Sequence, residues 1–255
     1  MNLIMQKNTM SKYFIKELGK VHSTNSYALD NFSSFEDRTI VFSKHQTNGR
    51  GRYNRHWVSD ETENLFITIL LKPENIDTFP FSNLTQYLSV IVCNYLEEKF
   101  NIDANIKWPN DILVEKAKIS GILAEAYTEK NKIKGLVLGF GLNVNMQKET
   151  IDNIDQKATS LSILKNENFD VDIIVEEIAE RFFEKYEQFV QQGFSYIKNE
   201  YLQRCDFLGS NITVKEVNKK TNYKAIDIDE EGLLIVEDEF GSNSKIITGD
   251  ILWKC

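Results

Sequence analysis

The stretch from His45 to Trp57, HQTNGRGRYNRHW, constrains this chain more than any other. The protein has six arginines, and Arg50, Arg52 and Arg55 all fall within it. Gly49 and Gly51 alternate with the first two, while Asn48 and Asn54 add residues that tolerate positive φ. Apolar, strand-like runs stand on either side, Thr39–Ser43 before and Asn64–Leu71 after. The reading is a flexible, arginine-rich loop joining two buried strands. Glycines let backbone N–H groups come close, and guanidinium forks match phosphate or carboxylate oxygens. Phosphate chemistry is the first expectation.

The remaining bounds narrow the setting. At 255 residues the chain can hold one large domain, or one domain and a small one. A net charge of −8 opposes general nucleic-acid binding, which makes the arginine loop a local anion site on an acidic protein. Met1–Lys20 lacks the apolar core of a signal peptide, and no apolar run is long enough to span a bilayer. Cys93, Cys205 and Cys255 are odd in number and far apart, which suggests neither a disulfide framework nor a zinc site. A reducing cytosol is the expected location.

Taken in order, the chain first reaches His22-Ser-Thr-Asn-Ser26. Ser23, Thr24 and Asn25 are good N-cap residues for a short helix over 26–32. They also form a hydroxyl–amide cluster suited to a neutral polar ligand head, and both readings stay open. The stretch before His22 is too short for a helix-turn-helix module, so no fused DNA-binding domain is expected. Leu84, Leu88, Ile91, Val92, Tyr95 and Leu96 recur at helical spacing and predict an amphipathic helix over 78–100, with Cys93 packed as a small hydrophobe.

Next, Pro109 and Asn110 interrupt two β-prone pieces in IKWPNDILV, making a turn that displays Lys107 and Asp111. Lys118–Leu123 reads as a strand whose Gly121 marks a close approach. A plain surface hairpin would supply the same residues. Lys134–Asn145 is a strand with three glycines but without the G-x-G-x-x-G spacing of a dinucleotide site. Asn143 or Asn145 could meet a base edge or merely satisfy a turn. Helix follows over 170–190 and 194–205. From Leu208 onward come five short β-prone runs, 211–217, 223–228, 233–236, 245–248 and 251–253, which suggest a small barrel.

Set side by side, HSTNS, GRGRYNRHW, KWPNDI, K-x-x-G-I-L and G-x-G-L-N-V-N, in this order, resemble biotin–protein ligases (biotin–[acetyl-CoA-carboxylase] ligases) over nearly the whole chain. The form without a DNA-binding repressor module is the nearer likeness. One departure is Asn54, where the family usually has glycine. Asparagine tolerates the left-handed conformation, and the loop is expected to keep its geometry.

The resemblance implies a two-step reaction. Biotin and ATP give biotinyl-5′-AMP and pyrophosphate, and a lysine of a biotin carboxyl carrier domain then takes the biotin and releases AMP. It further implies that Ser23, Thr24, Asn25, Gln46, Gly49, Gly121, Ile122 and Leu123 bind biotin. Arg50, Arg52, Arg55 and Lys118 would meet the reacting anions, with Lys118 bridging the biotin carboxylate and the α-phosphate. Trp57, Asn110 and Asn143 would hold the adenylate, and Lys107 and Asp111 would stand on the acceptor side. Whether Asp111 orients the amine or helps hold Mg²⁺ stays open, and no metal ligand is assigned. His22, His45 and His56 are read as scaffold or solvent residues.

A lipoate or octanoate ligase or transferase of the same fold, and a non-catalytic biotin-responsive protein, are the alternatives. Octanoyl transfer calls for a reactive cysteine, and no cysteine lies in a motif. The expected fold is α/β, a mixed sheet flanked by helices at 26–32, 78–100 and 170–205, of the class II synthetase-like biotin/lipoate ligase type. A catalytic domain over 1–206 and an SH3-like β-barrel over 207–255 are expected. Neither DNA nor membrane is an expected partner, and the chain would act as a monomer or homodimer on the carrier protein of acetyl-CoA carboxylase or a related carboxylase.

Overall fold

A computed structural model describes residues 13–216 and 219–253. Cys255 and the expected strand end at Val217 lie outside the described residues. The chain runs β1 (Phe14–Glu17), α1 (Thr24–Asp30), β2 (Thr39–Ser43), a ribbon of β3 (Gly49–Arg50) and β4 (His56–Trp57), then β5 (Leu65–Leu71). Helix α2 (Leu84–Phe100), hairpin β6 (Asn105–Lys107) and β7 (Asp111–Val114), and the long strands β8 (Ala117–Glu129) and β9 (Lys132–Leu142) follow. Next come α3 (Lys148–Ile151), α4 (Leu161–Lys165), α5 (Val171–Glu184), α6 (Tyr186–Gln192) and α7 (Lys198–Gln203). The last described elements are β10 (Asn211–Lys215), β11 (Lys220–Ile228), β12 (Leu234–Glu237), β13 (Asn243–Ile246) and β14 (Asp250–Trp253).

Two compact units are interleaved along the chain, one formed by Met1–Phe79 with Val114–Tyr186, the other by Pro80–Leu113 with Glu187–Cys255. In the first, five strands lie in the order β1-β2-β5-β9-β8. The β1–β2 pair is parallel and the rest are antiparallel, which makes the sheet mixed as expected. Strand β5 is buried at every residue, as its unbroken apolar run requires when both faces are covered. Helix α1 packs on β2, β5 and β9, placing Ala28 and Phe32 in one cluster with Val41, Leu70 and Val137. Helix α5 also packs on β5, burying Ile174, Val175, Ile178 and Phe182 at spacings of three and four. Full burial of each such side chain contributes about 1.5–3 kcal/mol. Helix α1 begins at Thr24, earlier than expected, because the Ser23 hydroxyl caps it by accepting from the Ser26 N–H at 3.4 Å.

In the second unit α2 starts at Leu84, six residues later than the periodicity predicts. Two short 3₁₀ turns, Ile76–Thr78 and Phe81–Asn83, flank Pro80 and occupy the lead. The helix expected over 170–190 is broken at Lys185, and Gly193, at φ +62°, separates it from the next piece. The C-terminal strands form an antiparallel sheet in the order β13-β12-β11-β10-β14, consistent with the small SH3-like domain expected. Its β11–β12 turn is tied down within the same unit. Asn83 Nδ2 donates to Glu231 O at 2.8 Å, and Gln86 Nε2 and Trp108 Nε1 donate to Gly232 O at 2.8 and 3.2 Å. These bonds group α2 and the β6–β7 hairpin with the C-terminal strands. A boundary near residue 206 between a catalytic domain and a barrel stays a proposal.

Candidate active site

The site is built on the paired strands β8 and β9 of the first unit, where Gly121 faces Gly141 and Leu123 faces Gly139. A Cβ on Gly139 would lie 2.1 Å from Asn25 Oδ1. On Gly141 it would lie 3.0 Å from the Trp57 indole, and on Gly121 2.7 Å from Trp57 and 3.1 Å from Lys118 Nζ. These glycines are present because side chains lie flat on the strands, leaving no room for a methyl group. Residues 135, 137, 139 and 141 share one face by the pleat. Gly135 is covered by Phe32, Val137 by the α1 core, Gly139 by Asn25 and Gly141 by Trp57, so the face passes from core to site along one strand. Ile122 has the opposite parity and is 2% exposed. Its side chain faces away, and only its backbone belongs to this floor.

At the Asn25 end the polar side chains are already bonded. Gln46 Oε1 accepts from the Thr24 N–H at 2.7 Å and from its hydroxyl at 3.1 Å. Asn25 Oδ1 accepts from the Thr68 hydroxyl at 2.6 Å, while its Nδ2 donates to Leu123 O at 3.2 Å and to Glu125 Oε2 at 2.8 Å. Arg50 Nη2 donates to the same Glu125 oxygen at 2.9 Å.

The arginine segment begins and ends in a ribbon pairing Gly49 with Trp57 and Arg50 with His56. Gly49 is required by close approach, since its Cβ would stand 2.9 Å from Gln46 Nε2 and from Trp57 Cβ. Gly51 is extended, at φ −117°, and a Cβ there would stand 3.6 Å from the Arg55 carbonyl oxygen, in ordinary contact. A left-handed residue does occur in the segment, at Tyr53 with φ 56°. The Tyr53 ring carries Arg52 at 5.0 Å and Arg55 at 5.6 Å from its centroid. Arg52 Nη2 also donates to the Tyr53 hydroxyl at 3.1 Å, and Arg55 Nε to Arg52 O at 3.2 Å. Lys118 Nζ sits 5.1 Å over the Trp57 ring, whose buried Nε1–H has no acceptor among the described residues. The Lys118 ammonium, a buried indole N–H and a neutral polar cluster thus border one glycine-lined floor, and Arg52 and Arg55 stand in the segment that leads into Trp57.

The model of the biotin/lipoate A/B protein ligase family matches residues 18–143, which take in all of these residues. The chain carries a biotin/lipoate A/B protein ligase domain over these residues. It is 34% identical over 214 residues to the bifunctional ligase/repressor BirA of Bacillus spizizenii, covering 84% of this chain but 65% of that relative's length. The biotin–[acetyl-CoA-carboxylase] ligase of Paracoccus denitrificans is 25% identical over 233 residues, covering 88% of this chain and 94% of that one. Among solved structures, the biotin protein ligase of Aquifex aeolicus in complex with biotin and ATP superposes with TM-score 0.79 at 28% identity, covering 94% of this chain and 98% of that one.

The other expected site residues divide by place. Lys107 and Asp111 are register partners across the hairpin of the second unit, with Asn110 in its turn, and the bond between Trp108 and Pro109 is cis. Asn143 Nδ2 donates to Thr159 O at 3.0 Å, which leaves the rest of its amide for other work. Asn145 is committed to Phe169, donating to its carbonyl and accepting from its N–H, both at 2.9 Å, and is scaffold. Among the described residues no group of three or more His, Cys, Asp or Glu could hold a metal ion. Burial pushes the Cys93 thiol up to about 12 and the Cys205 thiol well above its ordinary value. Both stay protonated at neutral pH and are poor nucleophiles.

Sequence reasoning missed Thr68 and Glu125. Thr68 lies within an apolar run, and Glu125 ends the K-x-x-G-I-L stretch as one more acidic residue. The available signal was parity, because Glu125 falls on the same strand face as Gly121 and Leu123.

Proposed function

We propose that this chain is an ATP-dependent biotin–protein ligase of the cytoplasm. The observation that carries the reading is the glycine floor with a bonded neutral cluster (Thr24, Asn25, Gln46) at one end and Lys118 beside Trp57 at the other, to which the reading adds Arg52 and Arg55 of the segment before Trp57. A carboxylate bound with its neutral head among the first group would present its charged end to the second. That carboxylate attacks the α-phosphorus of ATP, a P–O bond to pyrophosphate breaks, and the acyl-adenylate forms. Lys118 and the arginines oppose the charge that accumulates as two anions meet. Mg²⁺ would travel with the nucleotide phosphates, as hard cations do. A carrier-domain lysine amine then attacks the acyl carbon, AMP leaves and the amine proton is lost. Trp57, lying over the floor, helps keep water from the adenylate. Lys107, Asn110 and Asp111 are assigned to the acceptor and nucleotide side, and the carrier protein of acetyl-CoA carboxylase or a related carboxylase is the acceptor.

Thermal unfolding with biotin, lipoate or octanoate, each with ATP, tests the reading. A ligand at a hundred times its Kd adds about 2.7 kcal/mol, or about 5–10 °C for a chain of this size. Biotin should give that shift. A larger shift with lipoate or octanoate would assign the site to another member of the family.

A further inference from the structure

Glu125 is a carboxylate beside a floor that would receive anions, which is unfavourable unless the charge has a use. Its side chain is 24% exposed, and its Oε2 accepts from both Asn25 Nδ2 and Arg50 Nη2. Leu123 O and the Glu125 carboxylate only accept, so they fix which end of the Asn25 amide faces them and leave Oδ1 toward Thr68. Arg50 stands at the root of the arginine loop, opposite His56 in the ribbon. One oxygen therefore orients a head-pocket side chain and ties the loop to β8. We infer that Glu125 is a positioning residue that couples the head pocket to the arginine loop through Asn25 and Arg50. Arg50, though exposed, serves as the loop's anchor to β8, and anion binding falls chiefly to Arg52, Arg55 and Lys118. The inference rests on the ligase reading for its substrates.

The test uses the whole chain, Glu125→Gln, Arg50→Gln and the double variant. Without any ligand, trypsin cleavage after Arg52 and Arg55 is followed by mass spectrometry. Glu125→Gln should speed it about three- to tenfold, the loss expected for one partly exposed charged contact. In adenylate formation, glutamine still offers Asn25 an acceptor, so biotin affinity should change less than about threefold while the KM for ATP rises about three- to tenfold. The rise should vanish when Arg50 is already glutamine, because coupled residues are non-additive. A residue that merely holds the fold together would move both constants together. Unchanged cleavage, or additive effects in the double variant, overturns the inference. Wild-type protein in the same assay separates the two readings. If it makes no biotinyl-AMP, the ligase reading and this coupling both fall. If it does and Glu125→Gln behaves like it, only the role of Glu125 falls.

Discussion

At the Asn25 end of the floor, Thr24 and Asn25 are 3% and 4% exposed and are bonded to Gln46, Thr68 and Glu125. At the Trp57 end, Arg52 and Arg55 rest on a Tyr53 ring that is 46% exposed, and Lys118 rests on Trp57. The first end is built before any ligand arrives. The second has cation–π contacts, worth about 0.5–1 kcal/mol at exposed sites, beside the hydrogen bonds from Arg52 to the Tyr53 hydroxyl and from Arg55 to Arg52 O. A charge-assisted bond to an anion is worth about 1.5–3 kcal/mol. On the proposed ligase reading, discrimination between substrates belongs to the bonded neutral end and charge chemistry to the cationic end.

Lys118→Ala should break the comparison most sharply. If Lys118 acts where charge develops, adenylation falls by about two to three orders of magnitude, as for other preorganised donors, while biotin affinity changes little. Single-turnover rates beside equilibrium binding decide it. Near-normal adenylation removes Lys118 from the chemistry. Arg52→Gly addresses retention. Losing one charge-assisted contact weakens the hold on the adenylate by about ten- to more than a hundredfold. The variant should still make biotinyl-AMP but leak it onto lysines of added albumin, visible by mass spectrometry. Unlabelled albumin beside measurable adenylate formation would count against Arg52.

Thr68→Val probes the bonded neutral end with a smaller effect. Valine keeps the shape but removes the donor to Asn25 Oδ1, which costs about 1 kcal/mol. Biotin affinity should fall about three- to tenfold with the adenylation rate from the bound complex unchanged. A drop in that rate without a change in affinity would mean that the two ends are not divided as described.

The sequence made the floor legible in part. Three glycines in one strand signalled close approach, but only the fold shows that Asn25 and Trp57 are what come close. Ser23–Asn25 stood out as a polar cluster, whereas their partners Gln46, Thr68 and Glu125 are distant in sequence and became neighbours through strand pairing. The β3–β4 ribbon has two-residue strands, too short to carry a period, so the segment read as plain loop. Tyr53 at positive φ was not foreseen, since aromatic residues seldom adopt it. Boundaries failed at the start of α2, where 3₁₀ turns around Pro80 take up the lead, and at Lys185, where α5 ends within an otherwise periodic run.

One reaction tests the central claim directly. The chain is incubated with ATP, Mg²⁺, a biotin carboxyl carrier domain and an equimolar mixture of biotin and lipoate. Pyrophosphate release and the mass of the carrier lysine are then read together. The account predicts one biotin on that lysine, with pyrophosphate released in step. Lipoyl-lysine with biotin ignored, or biotin bound with no pyrophosphate released, would contradict it.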